Sequence, residues 1–325
     1  MNTDNKLPID IQKLINGDRR SLAKAITLIE SSKSSDRKLA QQILKELQPH
    51  TGQSYRIGIS GSPGVGKSTF IEALGEYLIS EGHMVAVLAI DPSSPLSGGS
   101  ILGDKTRMEK LSQSEQAFIR PTPASGTLGG VAQKTKETAL LCEAAGHDVI
   151  LIETVGVGQS EHDVANIVDF FLLLMLPGGG DELQGIKKGI LELADTIVVN
   201  KKDINPNLAE STMREYQNAL HIMSSKNKDE LSVLTCSALN QEGIELVWKQ
   251  AKITLDKLKE TGHLNKRRTD QEVKWLDKLI HDGVLLKLKE SKSLQKSYIQ
   301  YQEDIKNQKT SAIESAEKLI KKLFS

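Results

Sequence analysis

Residues 56–69 read RIGISGSPGVGKST, and they give the strongest indication of the fold. The apolar run Arg56–Ser60 is long enough for one buried β-strand, and a helical pattern follows the glycines and continues to about Ser80. A glycine-rich turn between a strand and a helix lets several backbone N–H groups point inward, and the helix N-terminus adds partial positive charge there. The stretch therefore predicts a strand–loop–helix unit that binds an anion.

The loop fits the pattern G-x-x-x-x-G-K-[ST] in full, in the strand-to-helix context that this pattern requires. We therefore predict a nucleotide-phosphate site, a P-loop, in which Lys67 reaches the β and γ phosphates as a catalytic residue and Ser68 gives a hydroxyl ligand to Mg²⁺. The alternative, an ordinary glycine-rich turn, is disfavoured by the complete match. The predicted phosphate-binding residues are Gly61, Ser62, Pro63, Gly64, Val65, Gly66, Lys67, Ser68 and Thr69.

On either side of this loop, short apolar runs alternate with helix-like stretches. The runs are Arg56–Ser60, Val85–Ile90, Val149–Ile152, Phe170–Leu176, Ile197–Val199 and Val233–Thr235. This alternation is typical of a parallel sheet covered on both faces. The sequence predicts an α/β P-loop NTPase with a mostly parallel central sheet covered by helices, over residues 51–262, with helical extensions at residues 1–50 and 263–325.

The C-terminal extension carries two apolar stripes at helical spacing. They comprise Val273, Leu276, Leu279 and Ile280, and then Ile313, Ala316, Leu319, Ile320 and Leu323. Such stripes either pack on the parent domain or form a surface for a partner, and spacing does not choose between the two.

Composition limits the possible partners and surroundings. Among 325 residues, Lys plus Arg and Asp plus Glu number 42 each, so net charge draws the whole chain neither to nucleic acid nor to an anionic membrane. Cys142 and Cys236 stand alone, which fits buried thiols in a reducing compartment rather than a disulfide or a metal site. The N-terminus lacks the pattern of a signal peptide, and no apolar run is long enough to span a bilayer, so we expect a cytoplasmic protein.

Acidic residues follow two of the predicted strands. Asp91 ends the second apolar run, Glu153 ends the third, and Asp104 lies in the Gly- and Ser-rich stretch that follows Asp91. An acid at the end of a neighbouring strand holds Mg²⁺ in P-loop enzymes, so Ser68, Asp91, Asp104 and Glu153 are the predicted metal residues. Helix capping or a solvated position is the alternative for each acid. Gly156 is placed to donate its N–H to the γ-phosphate.

Residues 200–203, Asn-Lys-Lys-Asp, follow a predicted strand and fit the pattern N-K-x-D. The Asp203 carboxylate is suited to accept hydrogen bonds from N1–H and the amino group of guanine, which adenine does not offer. Asn200 and Lys201 complete the predicted base site. Ser237, Ala238 and Leu239 follow the next strand and are similar to a loop whose backbone contacts the guanine oxygen.

The catalytic assignment is less complete. Small GTPases place a water-orienting Gln directly after the switch glycine, whereas Val157 follows Gly156 here, so we expect slow hydrolysis unless another group completes the site. The candidates for this additional catalytic group are Arg107, Lys187 and Lys188. Among them we assign Lys188 to catalysis, together with Lys67 and Glu153. Residues 177–182, PGGGDE, are interpreted as a mobile loop that senses nucleotide, with an ordinary strand-to-helix turn as the alternative.

Together these motifs resemble the MeaB/ArgK family of GTPases. The resemblance rests on GSPGVGKST, DPSSPLSGGSILGDKTRM, RPTPASGTLGG, ETVGVGQSE, PGGGDELQGIKKGI and NKKD. Besides Val157, a second variation from small GTPases is Glu153 in E-x-x-G, where D-x-x-G is usual. The flanking helices also suit the family, so the resemblance covers nearly the whole chain.

The resemblance implies a homodimer formed through the C-terminal helices, binding GTP or GDP with Mg²⁺. It further implies a chaperone that gates cofactor loading into, and protects, an adenosylcobalamin-dependent methylmalonyl-CoA mutase or a related acyl-CoA mutase. Three alternatives remain: a nickel or other metallocentre-assembly GTPase, an ATP-dependent kinase acting on amino-acid transport, and a nucleotide-locked scaffold. The scattered histidines and cysteines disfavour the first, and Asp203 disfavours the second.

Overall fold

The computed structural model of the chain describes residues 7–31, 33–91, 108–123, 130–154, 160–178, 188–223 and 231–324. Seven strands form one sheet in which every pair is parallel, in the order β3-β2-β4-β1-β5-β6-β7. The strands are β1 Tyr55–Gly61, β2 Val85–Asp91, β3 Ala117–Pro123, β4 Val149–Glu153, β5 Phe170–Met175, β6 Thr196–Val199 and β7 Ser232–Thr235. The predicted α/β class is confirmed, and the strand that precedes the P-loop motif lies at the centre of the sheet.

Six of the strands match the apolar runs of the sequence, and β3 was missed. Its sequence, AFIRPTP, contains two prolines, which cannot donate hydrogen bonds within a sheet. The structure places β3 at one edge, paired only with β2 among the strands, where a missing N–H is tolerated. An edge position therefore reconciles this sequence with a strand.

Helices cover both faces of the sheet. The α-helices of the described residues are α1 Ile11–Ile15, α2 Arg19–Glu30, α3 Ser34–Leu47, α4 Lys67–Ser80, α5 Glu109–Gln113, α6 Gly130–Ala144, α7 Ser160–Ala165, α8 Lys188–Leu193, α9 Pro206–Met223, α10 Ile244–Glu260, α11 His263–Glu290, α12 Lys292–Lys306 and α13 Ala312–Leu323. None of these helices combines the length and the apolar character needed to cross a membrane.

Side chains along a strand point alternately to the two faces of the sheet, so one strand can contribute to two cores. In β4, Val149 and Leu151 belong to a core with Phe70 of α4. Ile150 and Ile152 belong to the opposite core, which includes Leu22 of α2. This double burial explains why the strands read as continuous apolar runs.

Apolar side chains of the N-terminal helices belong to the same core as side chains from one face of β2 and β4. Asp10 and Asp18 begin α1 and α2 by accepting hydrogen bonds from the backbone N–H groups of Lys13 and Ser21.

The described residues divide into two compact units according to their contacts. Residues up to Thr269 form the first unit and those from Asp270 form the second, so α11 contributes to both. The three-part division read from the sequence stays a prediction.

The second unit has a small core of its own. Leu294 of α12 packs with Leu319 and Leu323 of α13, and Ser291 and Ser311 cap the two helices. Other members of the two predicted stripes are exposed. They are Val273, Leu276 and Ile280 on α11, and Ile313 and Ile320 on α13.

Charged groups at the amino-terminal edge of the sheet form buried ion pairs. The carboxylate of Asp169, which precedes β5, accepts hydrogen bonds from Arg268 Nε at 2.8 Å, Arg268 Nη2 at 2.6 Å and the Arg56 N–H at 2.9 Å. Burial opposes the charge of Arg268, but Asp169 raises the pKa of that guanidinium above its ordinary value. Arg56 pairs with Glu143 at 2.8 Å. The Arg268–Asp169 pair fixes the first turns of α11 to the start of β5, and the Arg56–Glu143 pair joins β1 to α6.

Candidate nucleotide site

The P-loop leaves the central strand at Gly61 and enters α4 at Lys67. Gly61 and Gly66 have φ angles of 152° and 96°. A Cβ atom at Gly61 would lie 2.5 Å from the Leu174 carbonyl oxygen, and one at Gly66 would lie 2.8 Å from Asn200 Nδ2. Both positions therefore require glycine, because backbone conformation and close neighbours each exclude a side chain.

Lys67 is the charged residue of the loop, and its side chain is buried. Its Nζ donates hydrogen bonds to the carbonyl oxygens of Gly61 at 2.8 Å and Ser62 at 3.3 Å. Burial lowers the pKa of Lys67, and the nearby carboxylates of Glu153 and Glu161 oppose that shift. The ammonium group is thus held within the loop itself, as the predicted phosphate-binding role requires.

The structure describes only some of the residues of the predicted metal site. Ser68 and Glu153 are brought together, with the serine Oγ donating to Glu153 Oε1 at 3.3 Å. Asp91 ends β2 beside β4, but its side chain lies outside what the structure describes, as does Asp104 entirely. Within the described ranges, no group of three or more His, Cys, Asp or Glu side chains is arranged to hold a metal ion. Ser68 and Glu153 nevertheless offer the hard oxygen donors that Mg²⁺ prefers.

Other residues predicted at the carboxyl-terminal edge of the sheet also lie outside the described ranges. Gly156, Arg107 and Lys187 are among them, and Lys188 is described as the first residue of α8 without its side chain. Of the predicted sensing loop, only Pro177 and Gly178 are described. The Gly178 N–H donates to Thr212 Oγ1 on α9 at 2.8 Å.

Asn200 connects the predicted base site to the P-loop. It directly follows β6, and its Nδ2 donates to the Val65 carbonyl oxygen at 2.9 Å. Its Oδ1 accepts from the Ala238 N–H at 3.0 Å. A side chain from the base motif therefore joins two loops that are far apart in sequence. The same bond engages the N–H of Ala238, which belongs to the loop whose backbone is predicted to contact the guanine oxygen.

Asp203 is exposed, but its carboxylate is held by a buried neighbour. Ser237 Oγ donates to Asp203 Oδ1 at 2.5 Å, and the Asn240 N–H donates to Ser237 Oγ at 3.2 Å. The prediction from the sequence concerns only the backbone of Ser237 and not its hydroxyl. The hydroxyl orients the carboxylate, while the side chain of Leu239 is 74% exposed beside it.

A buried group next to the P-loop was missed altogether. Ser60, Thr154 and Glu161 are each at most 2% exposed and are joined by hydrogen bonds between their side chains. Glu161 lies within the quoted stretch ETVGVGQSE, but only folding brings it beside β1, 101 positions earlier. Spacing along the chain contains no signal for this contact.

A glycine-rich loop on the central strand, with its lysine and serine in place and a base-motif asparagine bound to it, defines a P-loop nucleotide-binding protein of the α/β class. The model of the family described as Methylmalonyl Co-A mutase-associated GTPase MeaB matches residues 22–293. The chain therefore belongs to this family of GTPases. The resemblance read from the motifs is confirmed.

Individual relatives agree with this membership. The chain is 48% identical over 299 residues to the GTPase ArgK of Escherichia coli, covering 91% of this chain and 90% of that protein. It is 47% identical over 286 residues to the mitochondrial methylmalonic aciduria type A homolog of Mus musculus, covering 84% and 68%. A crystal structure of a LAO/AO transport system kinase is 40% identical, with a TM-score of 0.74 and coverage of 97% and 96%.

Proposed function

We propose that this GTPase is a chaperone of an adenosylcobalamin-dependent acyl-CoA mutase of the methylmalonyl-CoA mutase type, gating cofactor loading and protecting the enzyme. The observation that carries the proposal is the family match over residues 22–293, whose description names a mutase-associated GTPase. It covers the phosphate loop, the base motif and much of the flanking helices. The name of the mouse relative, which refers to methylmalonic aciduria, points to the same metabolism.

In this proposal the guanine base lies against Asn200, Lys201 and Asp203. The oriented carboxylate of Asp203 accepts from N1–H and the 2-amino group, a pair that adenine lacks, so ATP would leave polar groups unpaired. Ser237 supports this contact through its hydrogen bond to the carboxylate. Backbone groups of residues 237–239 complete the base site.

The phosphates lie in the loop from Gly61 to Thr69. Lys67 exchanges its bonds with the loop carbonyls for bonds to the β and γ oxygens, where its charge stabilises the transition state. The described pair of Ser68 and Glu153 fits Mg²⁺, with Asp91 and Asp104 as the further proposed ligands and Gly156 as a γ-phosphate contact. When bound, the ion neutralises charge that develops on the phosphate oxygens.

Intrinsic hydrolysis is slow in this proposal, because Val157 stands where small GTPases carry the water-orienting Gln. Lys188 completes the site when the partner binds.

The chain acts as a homodimer in this proposal. Support comes from the exposed apolar residues of the second unit, including Val273, Leu276 and Ile280. Analytical ultracentrifugation of Leu276→Lys beside the unchanged protein tests the dimer, which should dissociate.

The decisive experiment measures phosphate release from GTP and from ATP, with Mg²⁺, with and without the adenosylcobalamin-dependent acyl-CoA mutase of the same organism. We expect slow turnover of GTP alone, accelerated by the mutase. Lys188→Ala should abolish the acceleration. Glu303→Ala, an exposed carboxylate variant on α12, serves as the surface control.

Each other outcome removes a defined part of the proposal. GTP turnover that is indifferent to the mutase contradicts the partner and brings metallocentre assembly forward as the next candidate. Turnover of ATP at a comparable rate contradicts the base-site assignment. Acceleration that persists in Lys188→Ala contradicts the role given to that lysine alone.

A further inference from the structure

Ser60, Thr154 and Glu161 form a buried chain of hydrogen bonds beside the P-loop. Thr154 Oγ1 donates to Ser60 Oγ at 2.9 Å, and Ser60 Oγ donates to Glu161 Oε1 at 3.0 Å. The Thr154 N–H also donates to the Ile59 carbonyl oxygen at 3.0 Å. The three side chains, which we call the Ser60 relay, therefore join the carboxyl ends of β1 and β4 to the first turn of α7.

The relay has a direction because its last member only accepts. A carboxylate has no proton to donate, so the Ser60 hydroxyl must point its proton at Glu161. The lone pairs of Ser60 are then left to accept from Thr154. An amide in place of the carboxylate would permit the opposite direction, since its NH₂ group can donate to Ser60.

Stability alone does not account for a carboxylate in this place. Glu161 is 2% exposed, and among the described residues its Oε2 atom has no hydrogen-bond partner. A buried carboxylate that is satisfied at only one oxygen is costly compared with an apolar side chain of similar size. Groups that are retained at such a cost are commonly found at functional sites.

The position of the relay indicates what it does. Ser60 directly precedes Gly61, where the P-loop begins, and Thr154 directly follows Glu153, whose carboxylate accepts the hydrogen bond from Ser68. Backbone pairing of β1 with β4 extends to Ile59 and Glu153, so the arrangement of these two strand ends places Glu153 relative to Ser68. Among the described residues, the relay adds a side-chain link between the two strand ends.

We propose that Ser60, Thr154 and Glu161 are positioning residues that hold Glu153 beside Ser68 and so set the Mg²⁺ affinity of the nucleotide site. The inference rests on the proposed function, which assigns Ser68 and Glu153 to the metal. Partners that orient metal ligands typically change metal affinity about 10- to 100-fold when they are removed. Since the relay acts one residue away from Glu153, an effect of roughly tenfold follows.

The test uses the full chain with a fluorescent GDP as the probe. The affinity for this probe is measured in EDTA and across a Mg²⁺ titration, for the unchanged protein and for Thr154→Val, Ser60→Ala and Glu161→Ala. The Mg²⁺ midpoint is the Mg²⁺ concentration at which half of the change in probe affinity has occurred. We expect this midpoint to rise roughly tenfold in each variant. In Thr154→Val and Ser60→Ala, affinity in EDTA should stay within about twofold, because the P-loop backbone, Lys67 and the nearby Glu161 carboxylate remain in place.

Two matched variants separate positioning from general damage. Thr154→Ser keeps the hydroxyl and should restore the normal Mg²⁺ midpoint. Thr196→Val removes a buried hydroxyl that bonds Ser232 Oγ at 2.9 Å at the other end of the strands, and should lower stability without changing the midpoint. Glu161→Met replaces the buried carboxylate with an apolar side chain of similar size. This variant should unfold at a urea concentration no lower than that of the unchanged protein, and it should lose Mg²⁺ affinity to the same extent as Glu161→Ala.

The outcomes are distinguishable. An unchanged Mg²⁺ midpoint in folded Thr154→Val overturns the inference and leaves the proposed function intact. An equal loss of GDP affinity in EDTA overturns it as well, because the relay would then hold the P-loop itself. If Mg²⁺ does not affect GDP binding by the unchanged protein, the proposed metal site fails, and the inference fails with it.

Discussion

The two edges of the parallel sheet hold their charged side chains in different ways. At the amino-terminal edge, each cation meets an anion: Arg56 with Glu143 at 2.8 Å and Arg268 with Asp169 at 2.6 Å. At the carboxyl-terminal edge, Lys67 donates to uncharged backbone carbonyls. Charge is therefore neutralised within the protein at one edge and remains available for a ligand at the other.

The fold thereby separates the residues that stabilise it from the residues that bind a ligand. A buried ion pair stabilises little relative to apolar residues, but removing one member leaves a buried charge and costs much. A buried cation without a direct anion binds one when it arrives. Changes at the amino-terminal edge should therefore affect unfolding, and changes at the carboxyl-terminal edge should affect nucleotide binding. Each prediction below tests one side of this division.

The largest effect is expected for Asp169→Ala at the amino-terminal edge. The change leaves the guanidinium of Arg268 buried and removes the acceptor of the Arg56 N–H, so the free energy of unfolding should fall by about 3–5 kcal/mol. Urea denaturation measures this loss. GDP affinity per folded molecule should not change, and a loss of affinity in the folded protein would contradict the division between the edges.

The exposed carboxylate of Asp270 provides the control for this variant. Asp270 lies on the same helix as Arg268, but among the described residues no buried cation is shown paired with it, so the effect of Asp270→Ala on unfolding should stay within about 0.5 kcal/mol. If both variants lose equal stability, the buried pair has no special role.

Lys67→Ala tests the opposite edge and should have the next largest effect. Hydrogen bonds to charged groups contribute about 1.5–3 kcal/mol each, so losing contacts to two phosphates should weaken GTP binding about a hundredfold or more. Unfolding should be unaffected or require more urea, because the cost of burying the ammonium group disappears. Calorimetry measures the binding, and normal GTP affinity would refute the phosphate-site assignment.

Lys134 is a matched control for Lys67. Burial also lowers the pKa of Lys134, and its Nζ donates to the Glu30 carbonyl oxygen at 2.8 Å, away from the proposed nucleotide site. Lys134→Ala should change unfolding and leave GTP binding as it is. The two lysines thus differ in function while sharing their local chemistry.

Asp203→Asn should have a smaller effect on GTP and should change specificity. An amide cannot accept two hydrogen bonds from guanine but can pair with the 2-oxo group of xanthine, so we expect roughly tenfold weaker GTP binding and a gain for xanthosine triphosphate. Competition with fluorescent GDP measures both. Ser237→Ala should weaken GTP binding less, by about fivefold, because it removes only the support for the carboxylate.

The sequence was sufficient for the parts of the molecule that depend on local pattern. The apolar runs located six strands, and the glycine motif located the loop between β1 and α4, because both depend on neighbouring residues. β3 was missed since Pro121 and Pro123 are unfavourable in a strand unless it lies at an edge, and edge position is a property of the whole sheet.

The candidate site divides in the same manner. Lys67, Ser68, Asn200 and Asp203 were identified from motifs, whereas the hydroxyl of Ser237 and the Ser60 relay were not. Their contacts join residues separated by 34, 94 and 101 positions, and each depends on the register between strands or on where α7 packs. No spacing rule along one chain encodes such a contact.

The smallest effect is expected from His147, which the sequence showed only as one of seven scattered histidines. It precedes β4 at the amino-terminal edge, 6% exposed, and its Nδ1 lies 2.9 Å from the Cys142 carbonyl oxygen. Burial lowers the pKa of His147 below 6.5, so the unfolded chain binds the proton more readily than the folded one. Stability should therefore fall as pH drops below about 6.5, by at most about 1.4 kcal/mol per pH unit.

His147→Asn isolates this contribution, because an amide N–H can replace Nδ1–H without titrating. Urea midpoints at several pH values between 7.5 and 5 should fall more steeply for the unchanged protein than for the variant. GDP affinity of the folded protein should be the same for both at each pH, since His147 lies at the edge away from the P-loop. Parallel slopes would show that burial does not keep this histidine neutral, and a change in GDP affinity would show that the two edges are coupled.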